Sequence, residues 1–353
     1  MTATVDLFSG IGWGFACRDL GIDEYGIDIE PTVFKTREAF GMDGLCADIT
    51  ELDPSDWAGV EGLIASPPCQ SWSRAGKGLG LDDPRGQLVW QPLAWALAIR
   101  PRWVACEQVP EARGAFDQIA YRLREVGYHT DVYTLSSETF GVPQTRLRVF
   151  LVAHRDFAPQ RPKQTHQRYR KGRPRVEPCD MLGLLPWVSM AEAIGVDSLI
   201  VDTGTNSEQA GGGVLIGGNQ TNACVRSVDE PAPTIPAHIG KNQQGESWAF
   251  SRPSTTVCAD PRVSLPVHHD GSQSAGAVPY TDAGADKPVA LTESQGCRLM
   301  GFPDGTDQHL AGNKQDRWRL IGNAVCPPVG RAVLATLTAA PATDHDTTPA
   351  HHN

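Results

Sequence analysis

The sequence contains no long apolar run. No window approaches the ~18–20 uninterrupted apolar residues that a membrane helix needs. Its first residues, Met1-Thr2-Ala3-Thr4-Val5-Asp6, lack the basic start and apolar stretch of a signal peptide. The expectation is a cytoplasmic protein with no membrane partner. None of the nine cysteines (17, 46, 69, 106, 179, 224, 258, 297, 326) forms a Cys-x-x-Cys pair, so zinc-cluster and thioredoxin-like sites have no support. An odd number of scattered cysteines is expected to stay reduced, most of them buried as small apolar residues. His268-His269 has no cysteine or acid at ligand spacing and reads as exposed loop, so no metal is expected. Basic charge is also scarce, the net charge being −10. The exception is local: residues 155–175 hold eight Lys/Arg against one acid, Asp156. A basic segment on an acidic body concentrates phosphate contacts in one place.

What is present is enough chain, 353 residues, for about two domains. Up to about residue 155, short apolar strands alternate with helical stretches. The strands expected are Thr4–Phe8, Glu24–Ile29, Gly62–Ala65, Trp103–Glu107, His129–Leu135 and Arg148–Ala153. Between them, Gly14–Leu20, Pro31–Phe40, Gln91–Ile99 and Ala115–Val126 have helical spacing. This alternation implies an α/β fold with a doubly wound, Rossmann-like parallel sheet, whose ligands sit at the C-terminal ends of the strands.

From about 156 to 290 Gly, Pro, Ser, Thr and Asn dominate, and helical periodicity is lost apart from Met190–Ile194. A Pro-x-x-Thr unit at Pro231 recurs 22 residues later at Pro253, read as two short strands entered by similar turns. The segment is expected to be a smaller, loop-rich, mostly β second domain. Regular structure returns near Leu291, with a helix over Arg331–Leu337. The expected division is 1–155 plus 305–340 as one domain, 156–304 as the second, and 341–353 as a polar, disordered tail.

Four segments carry candidate chemistry. Phe8-Ser9-Gly10-Ile11-Gly12 puts glycines where the first strand turns into a helix, permitting close backbone approach to a ligand. Asp28, in an acidic pair with Glu30, and Asp48 follow at the next strand ends, where carboxylates can accept from ribose hydroxyls. Together they indicate an adenosine-containing cofactor. In Ser66-Pro67-Pro68-Cys69-Gln70-Ser71-Trp72-Ser73 two prolines stiffen the backbone before a cysteine aimed at the ligand crevice, a nucleophile's position. The loop that follows, with Lys77, is flexible and basic. Glu107 ends another strand, and Arg146 and Arg148, two residues apart, share one strand face.

In this order the segments resemble the motifs of DNA cytosine-5 methyltransferases. Phe8-x-Gly10-x-Gly12 is similar to the family's cofactor loop, and Asp28 and Asp48 to its ribose- and adenine-contacting acids. Pro68-Cys69-Gln70 resembles the catalytic motif and Gln144-x-Arg146-x-Arg148 the two-arginine motif. Arg298–Asp304 resembles the late motif beneath the recognition domain, and Gly322-Asn323-Ala324-Val325 the terminal one that completes the cofactor pocket. The chain departs from the pattern at Trp13, Trp72, Gln108, Val289 and Gln295, where the family usually has Gly, Phe, Asn, Arg and Glu.

The resemblance implies S-adenosylmethionine as cofactor, held by Phe8, Gly10, Gly12, Asp28, Asp48, Pro68, Asn323, Ala324 and Val325. It implies double-stranded DNA as partner, with Cys69, Glu107, Arg146 and Arg148 catalytic on a flipped-out cytosine. Gln70, Ser73, Lys77, Arg168, Arg170, Lys171 and Arg173 would contact the DNA, and residues 160–285 would recognise the target. A monomer, a prokaryotic or phage setting, and a possible partner restriction endonuclease are further expectations. An RNA methyltransferase or a non-catalytic DNA-binding homologue are the alternatives. A nicotinamide oxidoreductase would leave the cysteine and arginine motifs unexplained.

Overall fold

A computed structural model of the chain describes residues 4–72, 79–170, 173, 175–194, 213–214, 226–227, 231–233 and 292–339. Its strands are β1 (Thr4–Leu7), β2 (Glu24–Asp28), β3 (Gly44–Cys46), β4 (Gly62–Ala65), β5 (Trp103–Gln108), β6 (His129–Ser136), β7 (Gln144–Thr145) and β8 (Leu147–His154). The α-helices among the described residues are α1 (Gly12–Leu20), α2 (Pro31–Ala39), α3 (Pro84–Gln87), α4 (Gln91–Ile99), α5 (Arg113–Glu125), α6 (Met190–Ile194), α7 (Glu293–Leu299), α8 (Lys314–Asn323) and α9 (Pro327–Thr338). Seven strands form one sheet in the order β3-β2-β1-β4-β5-β8-β6.

β1 pairs in parallel with β2 and β4, and β4 with β5, so the expected Rossmann-like winding is present. One strand corrects the all-parallel expectation: β8 runs antiparallel to both β5 and β6. The reason is the connection. Only residues 137–146 separate β6 from β8, too few for the crossover of a dozen or more residues that a parallel return requires.

Side chains alternate between the faces, as strand geometry demands. Trp103, Ala105, Phe150 and Val152 face a core completed by α1, α7, α8 and α9. Val104, Cys106, Val149 and Leu151 face a second core completed by α4 and α5. The stretch Lys314–Thr338 is long and apolar enough to be taken for a membrane span, but it is α8 and α9 broken at Ala324–Cys326, and 67% of its most apolar 18 residues are buried.

α7 contributes Cys297 and Leu299 to the first core. It lies ahead of residue 305, where the sequence places the chain's return. Between α6 and α7 the described pieces are β9 (Gly213–Val214), its antiparallel partner β10 (Arg226–Ser227), and β11 (Ala232–Pro233), which pairs with β7. β11 falls in the first Pro-x-x-Thr unit; the second unit and the tail lie outside the described residues.

Beneath β1–β3 lies a buried ion pair. Arg37 of α2 places Nη2 2.8 and 2.7 Å from the two Glu24 oxygens and donates to the Asp43 carbonyl at 2.9 Å. Room for the guanidinium exists because residue 26 is glycine; a Cβ there would stand 2.3 Å from Arg37 Cζ. Asp6 is fully buried nearby, and burial, reinforced by Glu24, raises its carboxyl well above the usual range. Arg37→Met would strand Glu24 without its cation. The expected loss is about 3–5 kcal/mol of stability by chemical denaturation, and a loss below about 1 kcal/mol would contradict the role given to the pair.

Candidate active site

The first corner is the β1–α1 turn. Phe8 and Gly10 both take left-handed backbone conformations, φ 55° and 49°. For Phe8 that is strain held in place by its surroundings, of the kind that collects at functional sites. Ser9 N donates to the Ile27 carbonyl at 3.1 Å, which pins the turn to β2. Gly10 N donates to Asp28 Oδ2 at 3.0 Å, and Asp28 Oδ1 accepts from Glu30 N at 3.0 Å. Each Asp28 oxygen therefore braces backbone. Asp48 likewise caps a short 3-10 turn, accepting from Thr50 N at 2.9 Å and Thr50 Oγ1 at 2.8 Å.

Glu30 sits at the start of α2, half exposed, with Arg319 of α8 3.2 Å away. In the sequence it stands only as half of an acidic pair; its proximity to the crevice comes from the strand end that carries it. A Cβ on Gly10 would meet nothing within 4 Å, so the crevice is open above the turn. Gly12 is the opposite case: a Cβ there would stand 2.2 Å from the Val325 carbonyl oxygen. Asn323 ends α8, and Ala324 and Val325 lead to Pro327 at the start of α9. The sequence-distant terminal motif thus closes on the glycine turn.

The second corner lies at the ends of β4, β5 and β8. Cys69 is a half-buried free thiol on the loop leaving β4. Glu107, on β5, has its carboxylate almost fully buried, with Arg148 Nε of β8 2.8 Å from its Oε1. Arg146 is buried and donates through Nη2 to the Ala324 carbonyl at 3.1 Å, tying this corner to the terminal motif. Among the described residues its Nε and Nη1 have no hydrogen-bond partner, a costly state for a buried cation. Burial first, then Arg148, brings the Arg146 guanidinium down to about 10.

Cys69 feels all three of these groups. Burial pushes its thiol up, Arg148 and Arg146 pull it down, and Glu107 pushes it up again, with a net upward shift. The free protein therefore holds Cys69 as a thiol at neutral pH. Its alkylation rate is expected to keep climbing with pH beyond ~8.5, where an ordinary cysteine levels off, and Arg148→Ala should move the midpoint higher still. A midpoint below the ordinary value would contradict this.

Gln70 is half-buried, and its Oε1 lacks a partner among the described residues. Pro68 precedes the thiol, and its carbonyl accepts from Gln108 Nε2. Ser73 and Lys77 lie outside the described residues, as does Lys171. Arg168, Arg170 and Arg173 are exposed. Other members of the basic segment are committed to structure: Arg161 pairs with Asp131 at 2.9 Å, and Arg175 with Glu192 at 2.7 Å. Most of the expected recognition segment lies outside the described residues. Among the described residues, no three His, Cys, Asp or Glu side chains could hold a metal ion.

The chain is similar to known proteins over nearly its whole length. A family model for C-5 cytosine-specific DNA methylases matches residues 2–339. The Type II methyltransferase M.NlaX of Neisseria lactamica is 25% identical over 96% of this chain and 97% of its own. M.MthTI of Methanothermobacter thermautotrophicus, another Type II methyltransferase, is 36% identical over 30% of this chain and 33% of its own. In fold, the chain is similar to a DNA modification methyltransferase encoded within an Escherichia coli prophage, with TM-score 0.57, 17% identity, and 94% and 97% of the two chains covered. The Entamoeba histolytica methyltransferase EhMeth superposes with TM-score 0.60 at 13% identity, covering 94% and 96%.

Proposed function

Since the chain belongs to the C-5 cytosine-specific DNA methylase family, we propose that it methylates C5 of a cytosine flipped out of double-stranded DNA, through a covalent bond between Cys69 and C6. The observation that carries the reading is the convergence of Cys69, Glu107, Arg146 and Arg148 from three strand ends, with the 2.8 Å Glu107–Arg148 pair at its centre.

The residues present suit S-adenosylmethionine. Open space over Gly10, the uncapped first turn of α1, and the half-exposed Glu30 carboxylate form one crevice. Phe8, Gly10, Gly12 and the terminal Asn323-Ala324-Val325 segment would enclose the cofactor, with Glu30 taking the ribose hydroxyls. Asp28 would act from behind, by holding the turn. Asp48, already capping a turn, would contribute at the adenine edge. When bound, the cofactor supplies an electrophilic methyl group.

Each residue then has a task. C5 of cytosine is too weak a nucleophile; Cys69 gives its thiol proton to the Glu107 carboxylate as its sulfur adds to C6, and the addition makes C5 enamine-like. Glu107 passes that proton to N3 and accepts from the exocyclic amine, stabilising charge where it develops. Arg148, with Arg146 behind it, holds the base O2 and the adjoining phosphate. Bringing a cytosine against Glu107 separates that carboxylate from Arg148, which turns the guanidinium toward the base. After methylation, the C5 proton passes to water, Cys69 leaves C6, and the N3 proton returns through Glu107 to the sulfur, which restores the enzyme. A stacked base cannot reach this corner, so the target must leave the duplex.

Arg168, Arg170, Lys171 and Arg173 would grip phosphates beside the crevice, together with Gln70, Ser73 and Lys77 from the catalytic loop. The segment between residues 156 and 304 would read the target. Such an enzyme would act in the cytoplasm as a monomer, in sequence-specific modification beside a partner nuclease or in phage self-protection. The test is incubation with duplex DNA and methyl-labelled S-adenosylmethionine, followed by digestion to nucleosides. Label in 5-methylcytosine is expected. Label only in an RNA substrate, or DNA binding with no transfer at all, would overturn the reading.

A further inference from the structure

Two positions at which this chain departs from the family pattern, Trp13 and Gln108, meet on the same short segment. Ser66-Pro67-Pro68-Cys69 leaves β4 with few ways to be held. Ser66 N donates to the Leu7 carbonyl at 3.1 Å, and the Cys69 carbonyl accepts from Trp72 N at 3.0 Å. The two prolines between them have no N–H to give, so only their carbonyls can be tied.

Gln108 does this from the β5 side. Its Nε2 donates to the Pro67 carbonyl at 2.8 Å and to the Pro68 carbonyl at 3.3 Å, while its Oε1 accepts from Val109 N at 2.7 Å. With 1% of its surface exposed, this amide spends both kinds of its hydrogen-bonding capacity within the loop and its own strand end. Trp13 works from the other side. Its Nε1 donates to Ser66 Oγ at 2.8 Å. The ring meets Phe150 edge-on, at 6.3 Å and 87°, two residues beyond Arg148. It also packs on Gly330 of α9, where a Cβ would come within 3.1 Å.

We propose that Trp13 and Gln108 are positioning residues that clamp the catalytic loop from opposite sides, fixing where the Cys69 sulfur stands relative to the cofactor turn and the Glu107–Arg148 pair. The inference rests on Cys69 being the attacking group. Trp13 belongs to the first turn of α1, in the cofactor corner, and Gln108 directly follows Glu107. The clamp therefore locks nucleophile, methyl site and base-binding carboxylate into one frame. Misplacement by ~1 Å is enough to lower a rate about 100-fold without any loss of chemical groups.

The test uses full-length Gln108→Asn, Ser66→Ala, Trp13→Phe and the Ser66→Ala/Trp13→Phe double variant. Each is read by single-turnover methylation at saturating DNA and cofactor, and by equilibrium cofactor binding. Asparagine is one methylene short of the proline carbonyls, so Gln108→Asn should slow the single turnover about 10-fold or more while cofactor affinity stays within about twofold. Ser66→Ala and Trp13→Phe break the same bond, so each should slow turnover by about 3–10-fold and the double variant should be no slower than the worse single one. Ser66 is half-buried and its replacement removes one oxygen, so Ser66→Ala keeps the test open should Trp13→Phe fold poorly.

Wild-type single-turnover rates in Gln108→Asn and Ser66→Ala would overturn the clamp. So would multiplicative losses in the double variant, or losses that appear equally in cofactor affinity. Cys69→Ser, measured alongside, separates the two levels. Methylation persisting in Cys69→Ser refutes the nucleophile itself, whereas an inactive Cys69→Ser beside fully active clamp variants refutes only the clamp.

Discussion

Cys69→Ser should abolish turnover, by on the order of 10⁴-fold or more, while cofactor affinity remains within about twofold of wild type. The physical reason is that a serine hydroxyl is far less acidic and less nucleophilic than a thiol, and among the described residues nothing at this corner offers a strong base to activate it. Arg146 and Arg148 are cations, and Glu107 is engaged with Arg148 at 2.8 Å. The proposed cofactor crevice lies at the neighbouring β1–α1 turn, and among the described residues no hydrogen bond joins it to the thiol. Loss of cofactor affinity in the variant would show that residue 69 supports the crevice instead of attacking the base.

The second large effect comes from two neighbouring glycines that should fail in different ways. Gly12→Ala would bring a Cβ 2.2 Å from the Val325 carbonyl oxygen, 2.8 Å from its nitrogen, and into backbone that cannot swing aside. Either α1 or the Asn323–Val325 segment must move, and the expected outcome is a loss of about 3 kcal/mol of stability together with cofactor binding. Gly10→Ala meets no atom within 4 Å and faces only the strain of φ 49°, about 1–2 kcal/mol. Its added methyl would instead stand in the open space over the turn, where the cofactor is proposed to lie. This variant should fold nearly as well as wild type yet bind cofactor about 10-fold or more weakly. Thermal melts and titrations on the pair separate the two effects. Equal cofactor affinity in Gly10→Ala and wild type would show that nothing binds over that turn.

Much of this organisation is legible in the sequence because its signals are local. Gly62–Ala65 and Gln91–Ile99 form with the bounds that their periodicity gives. The glycine turn, the Pro-Pro-Cys loop and the arginines at period two fall at strand ends, where such sheets keep their sites. The antiparallel β8 was hidden because apolar alternation marks a strand without giving its direction; only the short 137–146 connection carried that information.

The acids show a different limit. Asp28 and Asp48 stand at strand ends as expected, but both Asp28 oxygens accept from Gly10 N and Glu30 N, and Asp48 Oδ1 accepts twice from Thr50. A carboxylate's hydrogen-bond partners follow from the turn around it, and spacing alone does not reveal them. Trp13 and Gln108 likewise read as mere departures until the fold brings each against the same loop. The expected recognition segment carries helical periodicity only at Met190–Ile194, and most of it lies outside the described residues.

The account turns on a bond between Cys69 and C6, and a duplex carrying 5-fluorocytosine at the target tests it directly. Fluorine at C5 leaves no proton to remove after methyl transfer, so elimination of the cysteine is blocked and the complex should persist through denaturation. Digestion and mass spectrometry should then find the methylated fluorocytosine adduct on the peptide that contains Cys69. An adduct on another residue, or normal release of product from the fluorinated duplex, would contradict the mechanism.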